Sequence, residues 1–413
     1  MPATERPDRW ADVYLATIAR AVSTCGDYLA ATALVIALQT RGSGGFAVAA
    51  LLIAAAAPPT LLAPLTGRLA DRVDSRRLLL VVSLAQAVIC AILAYVRPAA
   101  VMIALVALLG CGLAVVNPTI NALIPEMVGR ERLPKATAVG QTANSVALLI
   151  APALGGLLVG RFGLRTPLLI DAATYLAIVV AALAIHTRRG RVPAPVGAAP
   201  TPDWSMRRDP VLRSITIVVA AVVTAVSAVN VADVFFVRGV LHGSPTAYGL
   251  LGAVWTGGMM LGAWVVVRGR LGDGAFAVAL LVSLAGACGG VALAATVSTV
   301  AWMVPLWAVG GVFNGSVNVS SGVLVARRAP AEARGRAFAL FGGVANGANA
   351  TGYLLAGLAL AVVSPRALIA LAGAVGLAVS LAFAVPLVRA GRDRPASPPP
   401  PSPPPPQVAL AHE

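Results

Sequence analysis

The chain has 413 residues, of which 58% are hydrophobic and only 11% charged, and it carries a formal net charge of +15. A soluble protein carries about 25% charged residues, so an assembly of water-soluble domains is excluded. The basic surplus is not a nucleic-acid signal, because no interleaving of basic and aromatic residues accompanies it.

In chain order the sequence passes from one long apolar run to the next, and spans are predicted near 12–38, 46–66, 78–96, 99–121, 137–159, 166–186, 211–237, 246–267, 275–297, 301–325, 337–362 and 366–388. Runs of about 20 apolar residues cross a bilayer as helices. In hydrocarbon the backbone must satisfy its own hydrogen bonds, which leaves a helical bundle as the fold for such runs. The first run is too long for a signal-peptide apolar region and lacks a convincing cleavage site, so no cleavable signal is expected. The expected fold is therefore an all-α membrane protein of twelve transmembrane helices in two halves of six. The expected organisation is an N-terminal half over 1–186, a central loop over 187–210, a C-terminal half over 211–389 and a Pro-rich tail over 390–413.

Charge placement predicts the orientation. The loops on the side of the termini hold 24 Lys and Arg, whereas the opposite loops hold six: Arg41, Arg97, Arg161, Arg165, Arg238 and Arg366. This bias places both termini in the cytoplasm, with weak attraction of the basic loops to anionic lipid as a secondary effect. The composition is Ala- and Arg-rich, which points to a bacterial source and an inner (plasma) membrane. Cys25, Cys90, Cys111 and Cys288 fall inside spans without metal-ligand spacing, and His186, His242 and His412 form no cluster. No metal and no cofactor are expected. No Walker-type phosphate loop, activated nucleophile or carboxylate pair occurs, so an ATP-driven pump and an enzyme are both disfavoured.

The halves read as copies. At a constant offset of 202 residues Arg132 matches Arg334, Asn144 matches Asn346 and Gly155 matches Gly357. Such a repeat puts a cavity on the pseudo-two-fold axis near mid-membrane.

Between the second and third spans the chain reads Gly67-Arg-Leu-Ala-Asp71-Arg72-Val-Asp74-Ser75-Arg76-Arg77. This resembles the G-x-L-A-D-R-x-G-R-[KR] signature of the major facilitator superfamily, departing from it at Asp74 and Ser75. The resemblance implies that Gly67, Asp71, Arg72, Arg76 and Arg77 form a conformational switch at the inner surface, biasing one open state against the other. Ala151-Pro152-Ala-Leu-Gly155-Gly156 resembles the G-P-x-x-G-G motif of the antiporter branch, with Ala151 replacing the first Gly. It marks Pro152, Gly155 and Gly156 as a tightly packed seam against leakage. Asn117-Pro118-Thr-Ile-Asn121, ahead of Pro125-Glu126, and Leu169-Ile170-Asp171-Ala-Ala-Thr174-Tyr175 look like the drug-exporter branch that includes macrolide and siderophore efflux proteins. A monomer is what the family implies.

Asp27 lies halfway along the first span, where a carboxylate is costly unless paired or neutral. Burial disfavours its charged form, and it is predicted to be the proton-coupling residue. Arg20 shares its helical face but stands two turns away, so direct pairing demands long reach. Thr24, Asn117, Asn121, Ser227, Asn230, Trp307, Asn314 and Asn318 fall on the spans where the resemblance places a substrate cavity. The stripe Trp307, Gly311, Asn314, Asn318, Ser321 follows one helical face. Interhelical hydrogen bonding is the alternative role for these groups. Asp233, near the outer end of the seventh span and close to Arg238, is read as an outer gate or local ion pair. The functional expectation is proton-driven export of a small amphiphilic compound, with uptake or uniport of a small nutrient as the alternative. The expected partners are the small-molecule substrate, protons and the lipid bilayer.

Overall fold

The structure, a computed structural model, describes residues 9–129, 131–187, 206, 209–269, 273–330 and 333–384. For Gly67, Ala70, Asp71, Arg72, Asp273 and Gly274 it describes the backbone alone. Most of the expected central loop and the Pro-rich tail lie outside the described residues.

The first half consists of α1 (Trp10–Thr40), α2 (Gly44–Leu61), α3 (Ala63–Arg72), α4 (Ser75–Leu93), α5 (Ala99–Met127), α6 (Leu133–Phe162) and α7 (Arg165–Ala184). The second consists of α8 (Pro210–Phe235), α9 (Pro245–Arg268), α10 (Asp273–Ala294), α11 (Val300–Arg328), α12 (Arg334–Ala359) and α13 (Pro365–Ala382). A π-helical turn, Phe236–Val240, extends α8. Eleven of these helices are long and apolar enough to cross a membrane. The remaining long one, α12, is diluted by Asn346, Asn349 and Thr351. It is nonetheless a continuous helix of 26 residues, packed on α8 and α2.

Local sequence accounts for most helix ends. Pro210, Pro245 and Pro365 stand in the first turn of α8, α9 and α13, where the missing N–H costs nothing. Asp209, Ser244 and Ser364 cap the same helices by accepting backbone N–H bonds. Asp74, one of the two residues that depart from the family signature, caps α4 by accepting from the Arg77 amide at 3.0 Å. The single run expected at 46–66 is in fact broken at Leu62: Pro58 and Pro59 remove backbone donors and crowd the preceding turn. The chain resumes as the amphipathic α3, so the signature residues Gly67 to Arg72 sit on a short helix rather than in a loop.

The packing is two-fold in pattern. In the first half α1 packs on α6 and α7, α4 on α5 and α7, and α2 on α5. In the second, α8 packs on α12 and α13, α10 on α11 and α13, and α9 on α11. Each partner lies about 200 residues further along, as an internal repeat requires. The halves meet through α6 on α9 and α2 on α12. At the first of these seams a Cβ on Gly156 would run into the Pro245 carbonyl and the Gly249 backbone. At the second, a Cβ on Gly357 would meet Phe46 and Ala49. Gly357 is therefore the packing equivalent of Gly156, one residue out of the register in which the sequence aligned it with Gly155. Gly155 faces its own half instead, against Leu29 and Thr32 of α1.

Candidate functional site

Two neighbouring cavities inside the bundle share Tyr28, Ala31, Leu52 and Tyr353. The first, of about 300 Å³, is walled by apolar side chains of α1, α2, α4 and α5 and ends on Asp27, Asp171 and Tyr175. The second, of about 330 Å³, lies between the halves. Tyr28, Tyr248, Trp255, Trp307 and Tyr353 line it, and Pro152, Asn230 and Asp233 contribute to the same wall.

Asp27 is held from two sides. The Tyr175 hydroxyl of α7 donates to its Oδ1 at 2.5 Å, and Arg20 Nη1 stands 3.7 Å from its Oδ2. The two-turn separation along α1 is thus spanned by the long Arg20 side chain. Close behind is a second acid. Asp171 is 1% exposed and accepts from Cys90 Sγ at 3.2 Å and from Thr174 Oγ1 at 3.1 Å. Gly26 is what lets α7 come so near, because a Cβ there would strike Asp171 Oδ1 and Thr174 Oγ1. Two acids and one arginine thus stand together at the end of the apolar cavity.

The sequence reading missed Asp171 and Tyr175 as site residues. The signal was available: Asp171, Thr174 and Tyr175 fall at i, i+3 and i+4 on an otherwise apolar helix, which aligns them on one face. Asp233 also finds a different partner from the one expected. The Tyr248 hydroxyl donates to its Oδ1 at 3.4 Å, whereas Arg238 turns to the end of α1, bonding Gln39 at 2.8 Å and Thr40 at 3.3 Å. Arg238 therefore ties the two halves together at the end away from the termini. Asn346 of α12 adds a bond to Thr60 of α2 at 3.2 Å.

Of the expected cavity residues, Asn230 and Trp307 line the second cavity, with Trp307 set edge-on to Trp255 at 5.9 Å. The others line neither cavity. Ser227 is buried and bonded to Asn349, cementing α8 to α12. Thr24 is buried within the first half at 4% exposure. Asn117 is half-buried and Asn121 exposed on α5. Asn318 spends its amide on the Asn314 carbonyl at 3.1 Å. Short polar side chains that can reach a neighbouring backbone serve helix packing as readily as a ligand, which is why helical spacing alone did not sort them. In the signature segment, Arg76 bonds the Leu183 carbonyl of its own half at 2.9 Å, and Arg77 is exposed. Of Gly67, Asp71 and Arg72 the backbone alone is described.

A bundle of membrane-length helices enclosing cavities at the contact of two similar halves defines a membrane transporter. The family comparison agrees: the model of the Major Facilitator Superfamily matches residues 16–305 and again 218–411. The chain belongs to the major facilitator superfamily. It is a transport protein and not an enzyme. The MFS-type transporter YfiS of Bacillus subtilis (strain 168), itself uncharacterised, is 24% identical over 155 residues; the match spans 37% of this chain and 37% of YfiS. Among solved structures, a variant of the nucleoside transporter NupG superposes with a TM-score of 0.72 at 14% identity, covering 91% of this chain and 99% of that one. A variant of the peptide transporter POT in complex with alafosfalin gives 0.73 at 15% identity, covering 92% and 95%. A bacterial homologue of the human lysosomal transporter Spinster gives 0.66 at 14% identity, covering 94% and 96%.

Proposed function

We propose that the chain is a proton-coupled secondary transporter that moves small, mostly apolar organic molecules through alternating access. The carrying observation is the Asp27, Tyr175 and Arg20 cluster at the end of an apolar cavity. Asp27 can hold a proton in place of its ion pair with Arg20, and Tyr175 keeps the carboxyl group oriented in either state. Asp171 behind it is a second place for the same proton. The adjoining aromatic cavity offers apolar area and ring faces, with Asn230, Asp233 and Tyr248 as its few polar contacts. Such a lining suits an amphiphile better than a sugar.

Export is the direction this reading favours, on the seam formed by Pro152 and Gly156 against α9. There the backbones meet without intervening side chains, a contact suited to sealing one face while the cavity is loaded from the other. Uptake or uniport of a small nutrient or metabolite is the second reading. It draws on the family fold, which is shared over nearly the whole chain with a nucleoside transporter and a peptide transporter.

The test is flux in proteoliposomes of the purified full chain under an imposed pH gradient of either sign, across antibiotics, dyes, siderophores, nucleosides and short peptides. Substrate movement opposite to the proton gradient is the expected result. Movement in the same direction as protons would establish uptake, and flux indifferent to the gradient would remove proton coupling altogether.

A further inference from the structure

The loops on the side opposite the termini contain six arginines and not one Asp or Glu. Three of the six, Arg41, Arg97 and Arg165, come together around an open cavity of about 390 Å³ at the end of the first half. They arrive from separate segments: the turn after α1, the connection between α4 and α5, and the start of α7. No carboxylate lines the cavity. Only part of this charge is engaged locally. Arg41 donates to the Arg97 carbonyl at 2.9 Å and reaches Met102 Sδ at 3.2 Å, while Arg165 lies over the Tyr95 ring at 5.1 Å. None of these partners carries a negative charge. Three cations held around one hollow repel one another at a cost that an anion would relieve. The start of α7 also opens onto the cavity. Leu164 gives that helix no side-chain cap, and of its first three residues Arg165 and Thr166, but not Pro167, have a backbone N–H to offer an anion.

The second half gives an internal comparison. Arg366, at the corresponding start of α13, bonds the Val297 carbonyl at 3.1 Å and lies over Phe236. The connection from 295 to 299 brings no second arginine to it. The cluster therefore does not follow from the repeated fold itself.

We infer that this cavity binds a phosphate group, and that the phosphate belongs to the head group of an anionic lipid. The cavity is at a membrane-span end, and its rim carries Tyr95 and Phe162, which are 61% and 64% exposed. Exposed aromatic rings at a helix end sit at the level of lipid head groups. Arginine forks match phosphate oxygens, and acyl chains can run down the apolar flank below the two rings. The inference is independent of the substrate and of the transport direction.

The test uses the purified full chain in nanodiscs of phosphatidylcholine with or without the anionic lipid phosphatidylglycerol. Lipid retained after extraction is read by native mass spectrometry. The wild type should retain phosphatidylglycerol over phosphatidylcholine by about a hundredfold, roughly fivefold for each of the three arginines. A triple variant, Arg41→Gln with Arg97→Gln and Arg165→Gln, should lose that preference, and Arg161→Gln, an exposed neighbour outside the cavity lining, should keep it. Equal retention by the wild type and the triple variant would overturn the inference. So would thermal stabilisation of the wild type by sodium phosphate in phosphatidylcholine discs without any preference for phosphatidylglycerol, because the anion would then be a soluble one. Each arginine is exposed, and the single variant Arg97→Gln serves as the milder substitution should the triple one fail to fold.

Discussion

The Asp27 carboxyl group makes two contacts that respond differently to protonation. A neutral acid can keep its hydrogen bond to Tyr175 but loses the ionic attraction of Arg20. Asp27→Asn preserves size and hydrogen bonding while fixing the neutral state. The expected outcome is normal membrane insertion and substrate binding with pH-driven flux reduced to background, as measured in proteoliposomes; unchanged gradient-driven flux would clear Asp27 of the role. Asp233 should behave differently. It stands in the aromatic cavity with Tyr248 as its described side-chain partner, so its carboxyl group is within reach of a ligand there and can pair with a cationic one. Asp233→Asn should weaken transport of cationic compounds by about tenfold, the scale of one lost charge-assisted contact, and leave neutral compounds within about twofold. Competition among matched charged and neutral dyes measures the difference.

Among the elements, the short signature helix and the glycine seam carry the most mechanical information. Asp74 terminates the segment after α3 and starts α4, so its departure from the family pattern has a physical function. Asp74→Ala removes the cap bond and should destabilise the protein by about 1 kcal/mol, visible as a lower thermal midpoint in detergent; Asp74→Asn should restore most of it. At the seam, Gly156 has no room for a side chain against Pro245 and Gly249. Gly156→Val should separate α6 from α9 at a cost of about 1–3 kcal/mol. A cysteine introduced by Thr246→Cys in a background lacking the four native cysteines should then react several-fold faster with a membrane-impermeant thiol reagent, in keeping with a face held open. An unchanged labelling rate would mean that the seam does not hold that face closed. The same seam shows what periodicity could and could not reveal. Helix existence was plain from the apolar runs. The break at Leu62 was not, because its cause is two prolines inside a run that still reads as apolar.

For the molecule as a whole, the twelve-span fold and the repeat were legible because bilayer thickness dictates run length and because the second half follows the first at a nearly fixed offset. Asp27 was legible as the one acid at mid-span depth in an apolar helix. Its surroundings were not, since Tyr175 and Asp171 lie on a helix more than 140 residues away and meet it only through the packing permitted by Gly26. The uneven apolarity of the spans has its own consequence. With its asparagines and open run of glycines, α12 lacks the greasiness that commits a segment to the bilayer, yet in the finished protein it lies against α2 and α8. Its entry during biosynthesis must depend on neighbours already in place. A reporter fusion carrying residues 334–359 alone should stay on the ribosome's side of the membrane. The same segment should cross once the preceding spans are supplied ahead of it, as read by glycosylation of a downstream acceptor site. The partner surfaces that close the transporter around its cargo would then also serve, earlier in the protein's life, as the chaperone for its least membrane-loving helix.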